Sequence, residues 1–137
     1  TGMSTSKILI VHYDPRSLDR LRKTLEENDF EVKVARDGTS AMVSFLEDEP
    51  DLVLLEAMLP KVHGFEVCAD LKKTRMGRQT PVLVMSSIYK GRKYRHEAMN
   101  THGADDFIEM PLEDAQLVAI LRRSIKNDSA PELEAGS

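Results

Sequence analysis

With a single cysteine, Cys68, the chain can form no intrachain disulfide, which fits a reducing compartment. No apolar run approaches the roughly 20 residues of a membrane-spanning helix. No leader-like segment precedes the first apolar run, so a cytoplasmic protein without a membrane partner is expected. Positive charge is not in excess: 19 Lys and Arg against 23 Asp and Glu leave a formal net charge of −4. That balance gives no reason to expect nucleic acid or an anionic membrane surface as a ligand. The stretch His12-Tyr13-Asp14-Pro15-Arg16-Ser17 contains no glycine and so no glycine-rich phosphate loop. What is present is ordinary globular chemistry, 41% hydrophobic and 31% charged over 137 residues. A domain of that size buries roughly two-thirds of its unfolded surface, enough for one core without metals or cross-links.

Lys7-Ile-Leu-Ile-Val11 is continuously apolar, the pattern of a strand covered on both faces. Pro15 opens a helix whose Leu18, Leu21 and Leu25 form one stripe and which ends at Asn28-Asp29. Glu31 to Ala35 alternates polar and apolar, predicting a strand with one wetter face near a sheet edge. Asp37-Gly38 reads as a turn, with Thr39 or Ser40 capping a helix that carries Met42, Phe45 and Leu46 and stops at Pro50. Leu52 to Leu55 is the most apolar strand and hence the most central. Phe65, Val67, Cys68 and Leu71 mark a third helix, with Cys68 as an inert core thiol. Val82 to Met85 is a fourth strand. A short polar helix follows from Gly91 to His102, ended by Gly103 in a left-handed conformation. Asp106 to Ile108 is a fifth strand, and Leu112 to Lys126 a last helix with Leu117, Leu121 and Ile125 inward. Residues 1–6 read as a disordered start in which Thr1-Gly2 is an expression-tag remnant. Residues 127–137 read as a polar tail or linker.

Five strand–helix repeats in strict alternation predict an α/β fold, a five-stranded open parallel sheet, doubly wound. In such sheets ligands gather outside the carboxyl ends of the strands, where strand order reverses. The loops at those ends bring together His12, Tyr13, Asp14, Glu56, Ser86, Ser87 and Glu109. A Ser86–His12–Glu56 triad is conceivable but not expected, because Ser86 lacks the glycine-flanked strained turn of a nucleophile elbow.

These segments resemble the receiver domains of response regulators in two-component signalling. The resemblance rests on Ile8-Leu9-Ile10-Val11 before a polar triplet and Pro15, on Pro50-Asp51-Leu52-Val53-Leu54-Leu55 with Met58-Leu59-Pro60, and on His63-Gly64-Phe65-Glu66-Val67-Cys68. It rests also on Thr80-Pro81-Val82-Leu83-Val84-Met85-Ser86, and on Gly103-Ala104-Asp105-Asp106-Phe107 followed by Pro111. It covers about residues 7–126 and implies a flavodoxin-like sheet of strand order 2-1-3-4-5. It implies a linker to a missing output domain and, as partners, a histidine kinase or an output domain in the same chain. It also implies a cis bond at Met110-Pro111, where the family commonly has a cis Lys-Pro.

The chemistry implied by the family is phosphoryl transfer to an aspartate. An acidic pair holds Mg²⁺, an aspartate ending the third strand is the nucleophile, a Ser or Thr ending the fourth bonds the phosphoryl group, and a Lys after the fifth neutralises it. Here the acidic pair falls on His12 and Tyr13, the phosphoacceptor on Glu56 and the lysine on Met110; the hydroxyl is kept as Ser86. A hard dication does not exchange two carboxylates for an imidazole and a phenol, so neither Mg²⁺ nor another cofactor is expected. The leading expectation is therefore a pseudo-receiver, a regulatory module and not an enzyme, with no catalytic residue, acting by protein–protein interaction without phosphorylation. The alternatives are a working receiver phosphorylated at Glu56 or a neighbour, and a flavodoxin-like small-ligand binder or enzyme. His12 or Tyr13 is expected to donate to Glu56, which otherwise lacks a cation. Phe107, at the family's switch-aromatic position, is expected to be a core residue. Lys90, Arg92, Lys93 and Arg95 form a cationic run suited to an acidic partner surface. In the family this helix, the fifth strand and the last helix also form a homodimer face.

Overall fold

The computed structural model describes residues 5–129, and the expectations for residues 1–4 and 130–137 lie outside the described residues. The elements follow in order β1 (Lys7–Val11), α1 (Pro15–Glu27), β2 (Glu31–Ala35), α2 (Gly38–Asp48), β3 (Leu52–Glu56), α3 (Gly64–Lys73), α4 (Arg75–Gln79), β4 (Val82–Ser86), α5 (Arg92–His96), β5 (Asp106–Glu109) and α6 (Asp114–Ser129). A π-helical turn, Glu97–Thr101, continues α5. The five strands form one parallel sheet of order β2-β1-β3-β4-β5. This is the predicted α/β fold, with β3 in the centre and the alternating β2 at an edge.

Alternate strand residues face opposite sides of a sheet, and the core divides accordingly. Leu9, Val11, Val53, Leu55, Val82 and Val84 pack against Phe45, Phe65 and Leu71 of α2 and α3 on one face. Ile8, Ile10, Leu52, Leu54, Leu83 and Met85 pack against α1 and α6 on the other, through Leu18, Leu21, Leu25, Leu117 and Leu121. Two helix starts depend on aspartates rather than hydroxyls. Asp14 caps α1, accepting from the Ser17 backbone N–H at 3.1 Å and from its hydroxyl at 2.8 Å. Asp37 caps α2 in the same manner, accepting from Ser40 N and Oγ, both at 2.8 Å. The predicted cap at Thr39 or Ser40 is thus corrected to Asp37: the longer-reaching carboxylate takes the free N–H, and Ser40 becomes its donor.

Strict strand–helix alternation is interrupted at one point. Thr74 ends α3 and starts α4, its hydroxyl accepting from Gly77 N at 2.8 Å. The last helix begins at Asp114, two residues later than expected, and runs past Lys126 to Ser129. Gly103 is left-handed as expected, with φ of 82°. Met110-Pro111 is cis.

Candidate functional site

The strand register sets the site. Ile8 pairs with Leu52 and Ile10 with Leu54, all directed at the α1/α6 face. Two residues further along, the same alternation places His12 opposite Glu56. Both are buried, and His12 Nε2 lies 3.3 Å from Glu56 Oε1. His12 Nδ1 accepts from the Asp14 backbone N–H at 3.1 Å, so the ring proton belongs on Nε2 and is donated to the carboxylate. Glu56 Oε2 accepts from the Met58 backbone N–H at 3.0 Å. Burial lowers the His12 pKa from its ordinary value, only partly offset by Asp14. Burial likewise raises that of Glu56, against the backbone N–H groups of Met58 and Ala57. The contact is therefore a hydrogen bond from a neutral imidazole rather than an ion pair. Of the two expected donors, His12 serves; Tyr13, directed oppositely, stands exposed.

Close packing holds the Glu56 backbone in place. A Cβ at Gly64 would lie 2.2 Å from the Glu56 carbonyl oxygen and 2.8 Å from Ala57 Cα, so only glycine lets α3 start against the end of β3.

Ser86 is fully buried but belongs to the other strand parity, with Val82 and Val84. Its hydroxyl oxygen accepts from Ile88 N at 3.1 Å and Tyr89 N at 2.9 Å, turning into its own loop. Met110 follows Ile108 onto the α1/α6 face and packs on that core. Beside the His12–Glu56 pair opens a cleft of about 160 Å³, walled by Leu21, Met110 and Leu117 with Arg20 and Asp114 on its polar side. Phe107 is buried as expected, edge-on to Phe65 at 6.2 Å. Cys68 is buried, and desolvation pushes its thiol up to about 12.

The cationic run divides. Arg95 is held by the fold, donating to the Phe107 carbonyl at 3.0 Å and pairing with Asp106 at 2.9 Å. Lys90, Arg92 and Lys93 are exposed, and Gly91 starts α5 with no side-chain cap. Glu109 accepts from Gly91 N at 2.7 Å and so anchors this loop. Two groups escaped the sequence reading. One is the Met58 N–H on Glu56, a backbone group with no sequence signal. The other is the exposed apolar pair Met58 and Ile88, signalled by large apolar residues lying just beyond strand ends.

The pattern of one family, the response regulator receiver domain, matches residues 8–122. The chain belongs to the response regulator receiver domain family. It is 35% identical over 133 residues to the response regulator MprA of Mycolicibacterium vanbaalenii, covering 94% of this chain and 56% of that protein. It is 36% identical over 136 residues to the transcriptional regulatory protein CpxR of Klebsiella pneumoniae subsp. pneumoniae, covering 96% and 56%. The chain thus spans about half the length of these curated relatives. Among solved structures, a CheY-like receiver domain protein from Methanospirillum hungatei superposes with a TM-score of 0.83 at 22% identity, over 92% of this chain and 98% of that one. No helix among the described residues is long and apolar enough to cross a membrane.

Proposed function

We propose that this receiver domain regulates through protein–protein contact without being phosphorylated. The observation that carries the reading is the His12–Glu56 hydrogen bond, which occupies the position where the family's chemistry needs a free aspartate beside a metal. The donor set does not suit Mg²⁺, which wants near-octahedral oxygen ligands. Glu56 is engaged by His12 and Met58, the Asp14 carboxylate by Ser17, and Tyr13 offers an exposed phenol. Among the described residues no three His, Cys, Asp or Glu side chains converge as metal ligands. Met110 brings no charge to the phosphoryl position, and losing one such electrostatic group costs about 10²–10³ in rate. The extra methylene of Glu56 displaces its oxygen where about 1 Å of misplacement can cost 10²-fold. Ser86 keeps the hydroxyl, but its oxygen accepts from its own loop.

Intact mass after incubation with a small-molecule phosphodonor and excess Mg²⁺, with an ordinary receiver alongside, tests this reading. An unchanged mass with full conversion of the control is expected. A Mg²⁺-dependent phosphoryl adduct mapping to Glu56 or a neighbour would overturn it in favour of a working receiver.

A further inference from the structure

Five rings gather where the start of α3, the loop after β4 and the π-helical turn meet. His63 and Phe65 stand edge-on with centroids 4.7 Å apart, and His102 lies 5.3 Å from Phe65. Tyr89 lies 5.4 Å from His63 and 4.7 Å from Tyr94. These rings line a solvent-facing hollow of about 270 Å³, and the side chains of Glu66 and Glu97 line it with them. The hollow shares no lining residue with the cleft beside His12 and Glu56.

Backbone groups hold the rings in place. His63 Nδ1 accepts from the Phe65 backbone N–H at 3.1 Å. His102 Nδ1 donates to the Glu97 carbonyl at 3.1 Å, and the same carbonyl takes the His102 backbone N–H across the five-residue step of the π turn. The turn thereby sets Glu97 and His102 on one wall. The Tyr89 backbone N–H donates to Ser86 Oγ at 2.9 Å, which fixes the loop that carries this ring. Phe65 is buried and anchors the cluster in the core. Side chains held in this way lose little freedom when a ligand arrives.

The charge suits one class of occupant. The face of an aromatic ring is negative and attracts a cation within about 6 Å of its centroid. Lys93 Nζ already stands 5.8 Å from the Tyr94 centroid, although no Lys or Arg side chain lines the hollow itself. Glu66 and Glu97 add negative charge, and among the described residues no ion pair engages either. A ring face is a poor substitute for the oxygen acceptors that an ammonium N–H loses on leaving water, whereas a quaternary ammonium has no N–H to satisfy.

We infer that this hollow binds a small quaternary ammonium compound, its methyl groups against the rings and its charge balanced by Glu66 and Glu97. The volume lies just below the range of drug-sized pockets, about 300–1,000 Å³, which suits a ligand this small. The inference goes beyond the phosphorylation-independent reading and does not depend on it.

The test is an NMR titration of the full chain at about pH 8, where an ordinary imidazole is neutral. Three probes are compared at matched ionic strength: choline, ethanolamine, and the uncharged alcohol in which carbon replaces the choline nitrogen. Saturable shifts centred on Tyr89, Tyr94, Glu97 and His102 are expected with choline, which should bind at least about fivefold more tightly than either analogue. Tyr94→Leu should weaken choline binding by at least about fivefold, and Tyr94→Phe, which keeps the ring, should retain it. Glu66→Gln/Glu97→Gln should weaken choline binding and leave that of the uncharged alcohol unchanged. Should Tyr94→Leu fail to fold, this isosteric pair carries the test. Equal binding of choline and the uncharged alcohol would reduce the site to apolar contact and overturn the inference. Equal binding of ethanolamine, shifts centred elsewhere, no shift at millimolar choline, or loss of binding in Tyr94→Phe would each overturn it as well.

Discussion

Two polar clusters sit at opposite ends of the same sheet. At the amino end, Lys72 Nζ contacts Asp105 Oδ2 at 2.6 Å and donates to the carbonyls of Gly77 at 2.9 Å and Thr80 at 2.8 Å. Asp105 in turn accepts from Val82 N at 2.8 Å, so the cluster ties α3, α4 and the starts of β4 and β5 together. Each donor hydrogen of the ammonium has a partner, and its charge is matched. At the carboxyl end, His12 and Glu56 are more deeply buried, share one hydrogen bond, and carry no cation. The first arrangement is a clamp. The second satisfies two polar side chains inside the fold through one mutual hydrogen bond, with no Lys or Arg ion pair to Glu56 among the described residues. Burial of polar atoms alone does not tell the two apart; the number of partners and the charge balance do.

The strongest way to break this contrast is to give the carboxyl end the residues that the proposed function says phosphoryl transfer needs. His12→Asp/Tyr13→Asp/Glu56→Asp/Met110→Lys together should raise the rate of phosphodonor-dependent mass gain by at least about 10²-fold, the scale of a single restored electrostatic group. No gain in a folded variant would contradict the proposal that these four positions withhold phosphorylation.

A second test removes the clamp. Lys72→Met leaves the Gly77 and Thr80 carbonyls and the Asp105 carboxylate without their cation. Hydrogen bonds to charged groups contribute about 1.5–3 kcal/mol each, and Asp105 is partly exposed. A loss of about 2–3 kcal/mol in urea unfolding is expected. The His12 ring should keep its environment in that variant, because the clusters occupy opposite ends of the strands.

The smallest effect concerns pH and separates the two members of the carboxyl-end pair. The His12 pKa is lowered in the folded state, so the unfolded chain binds its proton more readily. His12 then contributes its full stability above about pH 6.5, and this is lost as pH falls toward the depressed folded value. The Glu56 pKa is raised, so its contribution is complete below the ordinary 4.5 and is lost as pH rises through the raised folded value. Glu56→Gln should remove the second dependence and leave the first. Relative to the parent, the variant should gain stability as pH rises above 4.5. Urea unfolding of both proteins between about pH 4.5 and 8 reads the difference; a variant losing stability relative to the parent as pH rises over that range would show that the carboxylate is worth more charged than burial allows.

The fold was legible because three of its strands, β1, β3 and β4, are apolar runs of five residues, and helices with clear stripes lie between the strands. The His12–Glu56 contact was also within reach, since both residues end buried strands in matching phase. The clamp was not: Lys72 and Asp105 lie in different repeats, and nothing in their spacing brings a lysine on α3 to the residue before β5. The short α4 was missed because Arg75-Met-Gly-Arg-Gln79 has no stripe and depends on the Thr74 cap. The π turn was hidden because its hydrogen bond from His102 N to Glu97 O, 3.1 Å long, reaches back five residues. The cationic run was read as one surface, but Arg95 is taken up by Asp106 and Phe107, a contact decided by the neighbouring strand.

The most direct test of the proposed site is ¹⁵N NMR of the His12 imidazole during a Mg²⁺ titration. The account predicts a neutral ring near pH 7, protonated at Nε2 and not at Nδ1, with signals that do not move as Mg²⁺ is added. A saturable Mg²⁺-dependent shift, or a ring protonated at both nitrogens, would contradict it, because either would place a cation at the carboxylate that the His12 hydrogen bond is held to occupy.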